Sequence, residues 1–111
     1  MRIETSLQGS TAVLKLHGFL AGADAQAALG HLGKLAQSGA AGVALDVSGI
    51  LFVDSRGLEA LVGAAEQTIR DGRTLKLIGR NPKLYEILEL TELVSLFEMP
   101  REAEAAVEKG R

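Results

Sequence analysis

The sequence predicts an α/β fold: a single domain over residues 1–111 with a mostly parallel sheet, an N-terminal antiparallel hairpin and about four helices. Three observations predict it. Short apolar runs with strand character alternate with longer segments of helical periodicity, and that alternation calls for crossover connections between parallel strands. The first two runs are separated only by Gly9-Ser10, which leaves room for a tight turn and nothing more. The hydrophobic fraction is 47% with aromatics at 4%, an aliphatic composition suited to layers of sheet and helix.

Residues 2–8 alternate Ile3, Thr5 and Leu7 against Arg2, Glu4, Ser6 and Gln8, the period of two of a half-exposed strand. Residues 11–17 form the second strand, and a Gly-first two-residue connection suits a type II′ turn. After Gly18 a loop covers residues 19–23. Asp24 then caps a helix with Ala25, Ala28, Leu29, Leu32 and Ala36 on one face, and Gly39 stops it. The nearly continuous apolar run 43–47 reads as a central strand covered on both faces. The next helix places Leu58, Leu61, Val62, Ala65 and Ile69 inward and ends at Gly72. Residues 75–78 are a further strand. Asn81-Pro82 starts the third helix, because Asn caps free amides and Pro loses nothing at the first helical position; Leu84, Ile87, Leu88 and Thr91 form its inner face. An edge strand over 94–99 and a helix over about 100–109 complete the chain, with Glu102 and Glu104 early in that helix and Lys109 and Arg111 late, matching the helix dipole.

Formal net charge is −2 with both signs dispersed, so no electrostatic footprint for nucleic acid or an anionic membrane is present. The absence of cysteine excludes disulfides, thiolate zinc sites and thiol nucleophiles. No apolar run approaches the roughly 18 residues of a membrane helix, and the opening residues lack a signal-peptide pattern. A cytoplasmic protein with protein partners is expected, without metal or cofactor. His17 and His31, the only histidines, are expected to face solvent.

In sheets of this type, sites gather beyond the carboxyl ends of the strands. Three connections lie there, over residues 18–23, 48–54 and 79–81, and Ser55 follows the middle one. With Asp54 as N-cap, Ser55 is the first helical residue, and Val53 and Leu58 occupy the two positions of a hydrophobic staple. The Ser55 hydroxyl then stands near free amides and the positive end of the helix dipole. A serine at a helix start is also an ordinary capping residue, and spacing alone favours that plainer role.

The stretch LDVSGILFVDSRGLEALV, followed by RTLKLIGRNPKLYEILELTELVSLFEM, resembles the STAS domain of anti-sigma-factor antagonists, in one register over nearly the whole chain. Members show a strand ending in aspartate, a hydrophobic loop, the segment D-S-S-G-L or D-S/T-x-G-L, and a later L-x-L-T-x-L. Here these are Asp46, residues 50–53, Asp54-Ser55-Arg56-Gly57-Leu58, and Leu88-Glu89-Leu90-Thr91-Glu92-Leu93. The resemblance implies a switch: the unphosphorylated antagonist binds an anti-sigma factor, often itself a serine kinase, and phosphorylation of the serine matching Ser55 blocks that binding. A phosphatase that resets the switch is a further expected partner. The implied binding surface comprises Ser48, Gly49, Ile50, Leu51 and Phe52, then Asp54, Ser55, Arg56 and Gly57, with Gly57 permitting close approach of the partner. No enzyme activity is implied, and any nucleotide belongs to the kinase.

Two positions depart from the family pattern. Its frequent G-x-L-D motif ends here in Ala21, leaving Asp24 as the nearby acidic group, and the second serine of the usual pair is Arg56, which can pair with a phosphate. The alternative role is that of a STAS subunit in a lipid ABC transporter or a stress-signalling assembly. Other motifs carry less. Residues 53–57 lack the first glycine of a G-x-S-x-G nucleophile elbow. Gly30-His31-Leu32-Gly33-Lys34 lies within a helical pattern and has Leu35 where a phosphate loop needs Ser or Thr. Its two glycines are expected to allow close helix packing.

Overall fold

The computed structural model describes residues 1–36 and 39–100. Its first strand, β1 (Arg2–Gln8), turns back through Gly9 and Ser10 into β2 (Thr11–Leu20). The turn has φ +63° at Gly9 and no positive φ at Ser10, the pattern of the expected type II′ connection. Then come α1 (Gly22–Ala36), β3 (Gly42–Val53), α2 (Ser55–Arg70), β4 (Leu75–Ile78) and α3 (Pro82–Leu90), followed by a single 3-10 turn (Val94–Leu96) and the short β5 (Phe97–Glu98). The five strands lie side by side in chain order, β1 antiparallel to β2 and the rest parallel.

One face of this sheet carries the core. Leu14, Leu45 and Leu77 stand in register across β2, β3 and β4, Leu75 pairs with Phe97, and all five are buried. Ala25, Ala28, Leu29 and Leu32 of α1 join Ala60, Leu61 and Ala65 of α2 in the same apolar cluster, which Leu84, Tyr85 and Leu88 of α3 extend. Each fully buried leucine contributes about 1.5 to 3 kcal/mol. This packing holds the carboxyl ends of β2 and β3 beside the start of α2.

Several elements differ from the sequence reading. β2 and β3 run on through residues expected to be loops: Phe19 and Leu20 belong to β2, and β3 continues to Val53. The reason is bulging. Between the pairs Lys15↔Asp46 and His17↔Gly49, and again between Gly18↔Ile50 and Phe19↔Phe52, β3 spends one more residue than β2. Each extra residue reverses the side-chain alternation, so the strand loses its period of two. Gly49 makes the first irregularity possible, because a Cβ there would lie 2.6 Å from the Leu16 carbonyl oxygen.

α1 starts at Gly22, with the Ala25 amide donating to the Ala21 carbonyl at 3.3 Å, so Asp24 sits in the first turn rather than at the cap. In α2, Thr68 is buried and donates to the Ala64 carbonyl at 2.7 Å, whereas Ile69 is 46% exposed. At about 100° per residue, position 68 falls about 20° from Leu61 around the helix and position 69 about 80°. In α3 Leu84 and Leu88 are buried as expected and Ile87 is half-buried; Tyr85 is buried too, its hydroxyl donating to the Gly79 carbonyl, while Thr91 is exposed because the helix ends one residue earlier.

His31 is exposed, but His17 is half-buried with Nε2 3.0 Å from a Glu4 carboxylate oxygen. Among the described residues, a Cβ at Gly30 or Gly33 would meet no atom within 4 Å beyond the neighbouring backbone of its own helix, so neither glycine is needed for close packing. Three α-helices are present among the described residues, and the fourth, expected over about 100–109, lies outside them.

Candidate functional site

The three expected connections converge, and Asp54 joins two of them. It caps α2 with extended backbone (φ −98°, ψ −176°), and its Oδ1 accepts from the Gly57 amide at 2.7 Å. The other carboxylate oxygen accepts from the Gly22 amide at 3.1 Å, where Gly22 has φ +58° at the start of α1. The Asp54 amide itself donates to the Leu20 carbonyl at 3.3 Å. One carboxylate thereby ties the end of β2 and the start of α1 to the start of α2.

Gly57 is buried, and its reason is internal. A Cβ at this position would run into the Leu20 carbonyl oxygen and stand 3.2 Å from Val53 Cγ1. The close approach it permits is of α2 to β2, not of a partner. Val53 and Leu58, the staple positions, are both partly buried against the core.

Ser55 is the first residue of α2 and is exposed, as is Arg56. Of the four amides that a helix start leaves without intrahelical partners, that of Asp54 goes to Leu20 and that of Gly57 to the Asp54 side chain. The amides of Ser55 and Arg56 remain beside the Ser55 hydroxyl. Since Asp54 does the capping, the serine is not required for it.

The third connection is held from the other side of β3. β4 pairs only with residues 44–46 of β3, so the rest of that edge lacks a strand neighbour among the described residues. The Asn81 side-chain amide takes its place by donating to the carbonyls of Val47 at 2.9 Å and Ile50 at 3.1 Å, while its Oδ1 accepts from the Leu84 amide to cap α3. Asp46 Oδ1 accepts from both the amide and the hydroxyl of Ser48, at 2.9 and 2.7 Å. Gly79, with φ +92°, leaves room for that carboxylate.

Of the expected surface residues, Ser48, Leu51, Phe52, Ser55 and Arg56 are exposed, Gly49 and Asp54 are half-buried, and Ile50 and Gly57 are buried. Ile50 turns inward because the first bulge reverses the alternation that points Leu45 and Val47 inward, and the second bulge, at Leu51, leaves Phe52 outward as well. Leu51 is 76% and Phe52 53% exposed. Phe19, 62% exposed, was not among the expected site residues; its ring meets Phe52 edge-on at 5.7 Å between centroids. The only signal for it in sequence is an aromatic residue in a chain with few of them. A shallow groove of about 140 Å³ runs beside Leu51, Phe52 and Val53, with Lys83 and Ile87 of α3 on its far wall. Ala21 is half-buried next to Gly22, and Asp24 is exposed in the first turn of α1.

Among the described residues no group of three or more His, Cys, Asp or Glu could hold a metal ion, and no helix is long and apolar enough to cross a membrane.

A family model described as STAS domain matches residues 2–106. No curated protein sequence matches significantly. Among solved structures, an anti-sigma factor antagonist from Mycobacterium paratuberculosis is similar with a TM-score of 0.76 at 18% identity, over 97% of this chain and 92% of that one. The anti-sigma factor antagonist SpoIIAA in its unphosphorylated form gives 0.67 at 17% identity, over 99% and 98%. The Bacillus cell fate determinant SpoIIAA in its phosphorylated form gives 0.60 at 16%, over 99% and 100%. At these identities the likeness is one of fold.

Proposed function

The chain belongs to the STAS domain family, and from that premise we propose that it is an anti-sigma-factor antagonist, a regulator rather than a catalyst, switched by phosphorylation of Ser55. The observation that carries this reading is the division of labour at the start of α2. Asp54 caps the helix, so Ser55 is left with an exposed hydroxyl that the fold does not use, next to two amides without helical partners. An exposed hydroxyl can reach a kinase, and the helix start can accept the phosphate that results.

The energetics favour a switch over a structural change. A phosphoserine carries about −1.5 to −2 charges, which a helix N-terminus stabilises by about 0.3 to 1 kcal/mol on a screened surface. A partner seated over uncharged Ser55, with its apolar side chains on Leu51, Phe52 and Phe19, would have to desolvate that dianion beside Asp54. Such a step costs several kcal/mol unless a cation is supplied, and each 1.4 kcal/mol is about tenfold in affinity. The match to SpoIIAA in both its unphosphorylated and phosphorylated forms agrees with a phosphate that leaves this fold standing. The partners in this reading are a cytoplasmic anti-sigma factor or serine kinase, and a phosphatase that restores the hydroxyl.

The test is incubation with a candidate serine kinase and ATP, mass spectrometry of the product, and binding titrations. Phosphate is expected on Ser55, Ser55→Ala should bind the unphosphorylated protein's partner within about twofold of wild type, and Ser55→Asp should bind at least tenfold more weakly. Equal binding by wild type and Ser55→Asp would sink the switch and favour the role of a STAS subunit docked independently of Ser55.

A further inference from the structure

β1 forms an edge of the sheet. β2 lies on its inner side, and its outer side has no strand neighbour among the described residues. Six of its seven residues are exposed, Ile3 is half-buried, and 68% of Leu7 is open to solvent. An edge strand presents unpaired N–H and C=O groups, and proteins that stay apart blunt such edges with proline, bulges, inward-pointing charges or charged side chains along the edge. β1 has only two charged residues, both near its start, and otherwise none of these. It contains no proline, its register with β2 runs unbroken from Arg2↔His17 to Gln8↔Thr11, and Arg2 and Glu4 lie on the face away from Leu14 and Leu16.

We propose that β1 pairs antiparallel with β1 of a second copy of this chain, about a two-fold axis at Thr5. In this register Ile3 of each copy faces Leu7 of the other on the core side, twice by symmetry. On the opposite side Arg2 faces Gln8 and Glu4 faces Ser6. All seven residues are engaged, and no like charges stand directly opposite. An axis at Glu4 would set two carboxylates against each other, and one at Ser6 would leave Arg2 and Ile3 unpaired. With the axis at Thr5 the two Glu4 side chains lie on a diagonal, and each is already held within its own copy by His17 at 3.0 Å and Arg2 at 3.4 Å.

A second observation fits the same partner. Beside Leu7 an open groove of about 530 Å³ separates β1 from the chain around the end of α1, lined by Thr5, Leu7, Ala12, Leu35 and Ala40. The two-fold axis brings Ile3 of the partner subunit opposite Leu7, and Met1 of the partner subunit opposite Gly9, at the mouth of that groove. Met1 is 40% exposed in the single chain. Pairing of this kind is isologous, so it consumes both β1 edges and stops at two copies.

Sedimentation velocity of the full chain at rising concentration tests this: the mass should climb from 11.7 kDa toward twice that value. Because Thr5 lies on the axis, Thr5→Lys and Thr5→Glu each oppose like charges across it. Each variant, checked for folding by circular dichroism, should remain monomeric where the wild type dimerises, and an equimolar mixture of the two should dimerise again. A nitroxide on Thr5→Cys, the sole thiol in a chain without cysteine, supplies an independent readout through spin–spin broadening on dimerisation. A wild type that stays monomeric to millimolar concentration, charged variants that both dimerise like wild type, a mixture that stays monomeric, or a dimer without spin–spin broadening each overturns the proposal.

Discussion

Gly57 and Glu4 show how much a single residue type decides here. Gly57 stands where α2 passes so close to β2 that a methyl group would meet the Leu20 carbonyl oxygen. Backbone cannot step aside as the end of a side chain can, so Gly57→Ala has to push the start of α2 away from β2 and disturb the Asp54 bonds to Gly57 and Gly22. Overpacking of this kind costs about 1 to 3 kcal/mol, and urea unfolding of Gly57→Ala should show a loss in that range despite the higher helix propensity of alanine. Glu4 offers a pH-dependent counterpart. Its carboxyl is held below its ordinary value of 4.5, chiefly by the side-chain hydrogen bond with His17 and further by the Arg2 charge. A carboxyl whose folded pKa is lowered contributes stability above its unfolded value and loses it as pH falls through the folded one. In an NMR titration Glu4 should therefore have its midpoint below 4.5, and His17→Ala should move that midpoint upward. A Glu4 midpoint indifferent to His17→Ala would mean that the contact is not formed in solution.

At the scale of elements, Asn81 joins α3 to a β3 edge that β4 is too short to cover. If it were a cap alone, Asn81→Asp would be nearly neutral, because Asn and Asp cap helices about equally well. Asn81 also donates to the carbonyls of Val47 and Ile50, which a carboxylate cannot do and would repel. Asn81→Asp should thus lose about 2 to 3 kcal/mol in urea unfolding, and a loss under 0.5 kcal/mol would leave only the cap. The sequence makes this cap legible, since Asn-Pro has few other uses, and it does not reveal the bonds to β3, which depend on residues 31 and 34 positions away. The same contrast runs through the fold. The hairpin, the boundaries of β4 and the Asp54 cap follow from local chemistry and are readable. The length of β3 is not, because its bulges erase the alternation that identifies a strand, and residues that looked like a loop proved to be strand with Ile50 turned inward. For the site, Asp54 and the exposure of Ser55 and Arg56 are readable from the helix start, whereas Phe19 and the role of Gly22 arise only when β2 and β3 lie side by side.

At the scale of the molecule, the sheet gathers the ends of β2 and β3 and the starts of α1, α2 and α3, yet the residue proposed to receive charge takes no part in holding them. Asp54, Gly57 and Asn81 do the holding. A switch needs this separation. If adding charge at Ser55 also loosened α2, lost partner binding would report unfolding instead of repulsion across an interface. Ser55→Asp places a negative charge in the first turn, where the helix dipole favours it by about 0.3 to 1 kcal/mol, and the neighbouring Asp54 carboxylate offsets part of that gain. Its unfolding free energy should stay within about 0.5 kcal/mol of wild type, as for surface substitutions generally, and the small difference should shrink as salt screens both terms. Urea unfolding of the two proteins at low and high ionic strength measures this. A loss above about 2 kcal/mol would place Ser55 within the machinery that positions α2, and the binding defect of Ser55→Asp would then be a consequence of a damaged fold.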